Sequence, residues 1–216
     1  MNRLIRIRIG LATLVIGGLL GLGGLLLRGQ VPLPNLDVDA WAQAVTGSNY
    51  VLAQILTILA YVIPYLGFWA IYALLEQVEN VEKLAFWGFM FSIIGTSLAI
   101  ATLGIFSFVS PQIAVRYLQG DAQLPSIISQ VVTGQAAIIN LSGGILYLLG
   151  TVLLGLAIWR SRSLPKWSGL LITLNGIFLV FGFLWFPISL LSWVYILGAG
   201  LWLLVGPLEQ NDLPSL

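Results

Sequence analysis

From Trp167 to Val205 the chain runs for 39 residues without one charged side chain. As a single helix that run would be ~58 Å long, nearly twice a ~30 Å hydrocarbon core, so it has to fold back on itself. Phe186, Pro187, Ile188 and Ser189 are the natural turn, which leaves two spans, 167–185 and 189–206, near the short limit of ~17 residues. A re-entrant pair is the alternative, since short segments can dip into a membrane where protein buries their backbone.

Four more apolar runs precede this hairpin, at 9–27, 51–75, 84–108 and 133–159. Only 8% of the 216 residues are charged, against roughly 25% in an ordinary soluble domain, so most of the surface must face lipid. Hydrocarbon offers the backbone no hydrogen-bond partners, and only helices or closed barrels satisfy their own amides there. The runs lack the alternation of barrel strands. The expected fold is therefore all-α, a polytopic transmembrane bundle of about six spans in one domain, 1–216.

The first run follows Arg3, Arg6 and Arg8 in the manner of a signal peptide. It is long for the apolar region of one and no A-x-A-like cleavage site follows, so a retained anchor is expected. Beyond Arg28, VPLPNLDVDAW reads as an extended stretch leading into a short interfacial helix, with Asn35 or Asp37 as cap and Trp41 at the headgroups. Ser110 to Gln130, punctuated by Pro111 and Pro125, is expected to be the largest loop.

Orientation follows from the cations. With the N-terminus inside, Arg3, Arg6, Arg8, Lys83, Arg160, Arg162 and Lys166 are cytoplasmic, while only Arg28 and Arg116 lie outside. Both ends then fall in the cytoplasm, as expected of a multi-pass protein in a bacterial inner membrane.

The chain has no cysteine and no histidine. That removes thiol chemistry, imidazole metal ligation and histidine-activated nucleophiles, so neither a metal nor a cofactor is expected and an enzyme is disfavoured. No basic patch is large enough for nucleic acid. The expected partners are membrane lipids and a membrane protein or a second copy. Glu76, Glu79 and Glu82 recur every three residues, but at a helix end in water-accessible sequence, where a solvated terminus accounts for them.

Two groups of residues stand out. Gly17 and Gly21 in the first span, Gly88, Ser92 and Gly95 in the third, and Gly144 and Tyr147 in the fourth place small groups at helical spacing, as helices do where they pack closely in lipid. Gln54, Thr102, Gln135 and Asn140 fall in the outer halves of their spans, so they form a candidate polar pocket open to the outside; interhelical hydrogen bonds explain the same residues. No Asp, Glu, Lys or Arg lies inside a span, which weighs against an ion-coupled pump. A non-catalytic binding or accessory subunit is the leading expectation, and a carrier or binder of small uncharged or lipophilic molecules the alternative.

The stretch Gly150 to Leu171, GTVLLGLAIWRSRSLPKWSGLL, resembles the signature of a bacterial membrane family known as domain of unknown function 4386. The resemblance is carried by Gly155, Trp159, Arg160, Ser161, Leu164, Pro165 and Gly169. It implies a compact six-helix bundle and brings no catalytic or binding residue with it.

Overall fold

The computed structural model describes residues 2–121, 123, 126–127, 130, 134–182 and 186–206. The described residues are helical with no strand, in the order α1 (Arg3–Arg28), α2 (Val38–Thr46), α3 (Tyr50–Val62), α4 (Tyr65–Leu75), α5 (Glu82–Leu118), α6 (Gln135–Ser161), α7 (Lys166–Phe181) and α8 (Phe186–Val205). Five segments are long and apolar enough to cross a membrane: α1, the α3–α4 pair, α5, α6 and α8. The sixth, α7, is apolar but has only 16 residues, ~24 Å of helix.

Local sequence explains the breaks. Asp37, one of the two expected caps, accepts the Ala40 amide at 2.9 Å and starts α2. Pro64 has no N–H to give, and α3 and α4 part at Ile63 and Pro64. Arg162 takes the left-handed conformation at φ 56° and stops α6, and Pro165 opens α7.

Three sequence expectations are corrected. The third segment does not end at Ser110. α5 continues through Pro111 for 37 residues, ~56 Å in all, because its last turns have a partner: Ile113, Ala114 and Tyr117 pack on Trp41, Ala42 and Val45 of α2. The Tyr117 hydroxyl also donates to Asp39 at 2.7 Å. For the same reason Trp41 is buried, 3% exposed, and not spread among headgroups. Finally, Phe186, Pro187 and Ser189 belong to the first turn of α8 and not to the reversal before it, in keeping with proline's fitness for a helix start. Thr133 and Pro125 lie outside the described residues.

The six segments follow one another round a closed circuit. α1 packs between α3–α4 on one side and α8 on the other; α8 packs on α7, α7 on α6 and α6 on α5, and α5 returns to α3–α4. Aromatic pairs cross the interior. Tyr61 meets Trp193 edge-on with centroids 5.1 Å apart, and Phe68 meets Tyr147 at 6.2 Å.

Candidate functional site

Small residues decide where the helices touch. A methyl group added at Gly95 would collide with the Tyr147 amide nitrogen and the Gly143 carbonyl oxygen, and one at Gly88 would lie 2.7 Å from the Leu154 nitrogen. Gly150 sits equally close to Ser92, itself fully buried. The α5–α6 contact is thus backbone against backbone, the arrangement that lipid solvation rewards. Gly144 is not part of it. A methyl group added there would meet only Val180, at an ordinary 3.5 Å, and Gly143 takes the close position instead.

Gly17 and Gly21, four residues apart, do not form one face either. Gly17 abuts Pro64 and the Ala60 carbonyl, whereas Gly21 lies under the Trp193 ring. Gly10, Gly17 and Gly24 all meet α3 or α4, and Gly18 and Gly21 meet α8. The first span therefore carries two glycine faces for two neighbours.

The four residues of the expected pocket divide between two places. Thr102 is 2% exposed, and its hydroxyl lies 3.1 Å from the Asn140 Oδ1 across α5 and α6. Asn140 itself is exposed, as is Gln135 at the start of α6. Gln54, 2% exposed, donates from Nε2 to the Tyr50 hydroxyl at 2.8 Å, and that hydroxyl donates on to the Phe106 carbonyl at 3.2 Å. No contact joins Gln54 to Thr102, Gln135 or Asn140 among the described hydrogen bonds.

Tyr50, the partner of Gln54, also has Arg28 near it. The half-buried guanidinium is within electrostatic reach of the Tyr50 and Tyr61 hydroxyls. It has no carboxylate partner among the described residues, where Arg3–Glu76 at 3.7 Å is the one ion pair. Its Nε and the Gln54 Oε1 are both buried without a hydrogen-bond partner, one a donor and the other an acceptor. Arginine stays charged at any physiological pH, so the Arg28 end of α1 carries a fixed positive charge. It can hold a polar or anionic group in place. It supplies no nucleophile and no group that titrates near neutrality.

A second polar cluster, unmarked by sequence reasoning, is buried in the middle of the bundle. The Tyr147 hydroxyl donates to Asn175 Oδ1 at 2.6 Å, and Asn175 Nδ2 donates to the Ser192 carbonyl at 2.8 Å. Asn175 is 1% exposed and joins α6, α7 and α8. The signal was available: it is the only carboxamide in the 39-residue charge-free run. With one amide donor and one acceptor site engaged between helices, this cluster binds α6, α7 and α8 to one another.

At the opposite end, Arg3 donates to the Ala73 carbonyl at 3.1 Å beside its pair with Glu76. No group of three acidic residues able to hold a metal occurs among the described residues. No family model matches the chain, and neither a curated protein nor a solved structure does.

Proposed function

We propose that this chain is a non-catalytic binding or accessory subunit of the bacterial cytoplasmic membrane, with both ends in the cytoplasm. The observation that carries the reading is the closed circuit of apolar helices held by glycine contacts, whose central polar groups Tyr147, Asn175 and Ser192 bond helix to helix. A rigid interior without charged groups is suited to presenting a surface, not to turning over a substrate. The cation distribution supports the orientation, and the Gly150 to Leu171 resemblance supports a six-helix plan shared with that family.

The carrier reading is favoured by one feature, the contact between α4 and α5, where aromatic side chains and not glycines fill the space. Gentle solubilisation with in-cell crosslinking separates the two. A stoichiometric protein partner, together with vesicles of the purified chain that stay tight to glycerol and urea, is the expected result. Vesicles that pass such solutes faster than empty ones would overturn it. Reporters fused after Glu79 and Ser163 should read cytoplasm, and those after Asp39 and Asp121 the outside.

A further inference from the structure

At the end of the bundle that carries Arg3 and Lys83, an open groove of about 390 Å³ lies where α4 ends and α5 begins. One side of it is polar, with Glu76, Glu82 and Lys83; the other is aromatic, with Tyr72, Phe86 and Trp87. A second groove of about 360 Å³ shares Lys83 and Trp87 with the first and continues past Leu84 and Phe91 to Leu153 of α6, apolar along nearly its whole length. From Lys83 to Phe91 the second groove runs ~12 Å along α5 toward the membrane interior. Polar at the helix ends and apolar with depth is the order in which a phospholipid lies.

The charges narrow the headgroup. Lys83 and Glu82 have no ion-pair partner among the described residues, so a group bearing both a phosphate and an ammonium complements both. A glycerol headgroup brings no cation for Glu82. A choline ammonium has no N–H to donate to it. An ethanolamine ammonium has three N–H donors for a carboxylate.

We propose that these joined grooves seat one ethanolamine phospholipid of the leaflet on the Arg3 side. Its phosphate sits on Lys83, its ammonium lies on Glu82, and one acyl chain runs along Trp87 and Phe91. The site goes beyond the accessory reading and does not depend on it.

The test is native mass spectrometry of the full chain released from membranes of equal ethanolamine, choline and glycerol phospholipid with matched chains. The wild type should retain one ethanolamine lipid about fivefold over the others, the factor that one exposed charge-assisted contact gives. Glu82→Gln should bring the three headgroups to parity, Trp87→Ala should lower retention of all three, and Glu79→Gln, outside the groove, should change nothing. If Glu82→Gln disturbs the start of α5, Lys83→Gln reads the phosphate half of the site by the same measurement, with total retention expected to fall. Equal retention of the three lipids by the wild type, a preference for choline or glycerol, or a preference that survives both Glu82→Gln and Lys83→Gln would overturn the site.

Discussion

The two faces of α5 solve the same packing problem in opposite ways. Toward α6 it presents Gly88, Ser92 and Gly95, and the backbones meet. Toward α3 and α4 no glycine makes contact; instead Tyr50, Tyr65 and Tyr72 reach across to the Phe106 carbonyl, Ser97 and Phe89. Close backbones exclude everything else, whereas ring-bridged helices stand apart and leave grooves at their margins. The open groove beside Tyr72 and Phe86 lies on the second face, and the groove that continues it reaches the margin of the first at Leu153.

The largest expected effect breaks the glycine face. Gly95→Leu forces a side chain against the Tyr147 nitrogen and Gly143 oxygen, backbone atoms that cannot swing aside, so the loss should reach or exceed the ~1 to 3 kcal/mol of ordinary overpacking. It would be read as a lowered melting temperature or loss of the monodisperse peak in detergent. Gly104→Leu on the same helix, with nothing within 4 Å, is the comparison. Equal damage from both would mean that leucine itself, and not the α6 contact, is at fault.

An intermediate effect belongs to the buried cluster beside that face. Asn175→Leu removes the acceptor of the Tyr147 hydroxyl and a donor to the Ser192 carbonyl, and leaving that hydroxyl buried without a partner costs about 1 to 3 kcal/mol. Tyr147→Phe in the same background should then restore part of the loss, since it removes the orphaned hydroxyl. A double variant no more stable than Asn175→Leu alone would remove the cluster from the account.

The smallest effect tests the aromatic face. Tyr65→Phe deletes one partly exposed hydrogen bond to Ser97, 3.1 Å long, so the melting temperature should shift by no more than a ~0.6 kcal/mol interaction allows. A collapse comparable to Gly95→Leu would show that the two faces of α5 are equally exacting.

Much of this plan was legible in the residues because lipid makes simple demands. Long charge-free runs announce spans, and Gly88, Ser92 and Gly95 at helical spacing name the α5 face that meets a neighbour. Which neighbour, and at which register, was not legible. Gly143 and Gly144 are adjacent, and only the position of Gly95 opposite decides between them. Thr102 and Asn140 meet across α5 and α6 while Gln54 bonds to Tyr50 elsewhere, and a span boundary, which speaks only to depth, could not separate them. The continuation of α5 past Pro111 depends on α2, a partner about 70 residues earlier in the chain, and no local rule for proline reports it.

The two glycine faces of α1 set an order of events for the growing chain. The helix made first is completed on one side by α3 and α4, which follow it within a few tens of residues, but on the other side by α8, made last among the described helices. Until α8 leaves the ribosome, the groove around Gly18 and Gly21 stays open to lipid or to whatever insertion factor attends the nascent bundle. Closure of the circuit therefore waits for α8, and a chain truncated before Trp193 leaves the α1 face at Gly18 and Gly21 unfilled.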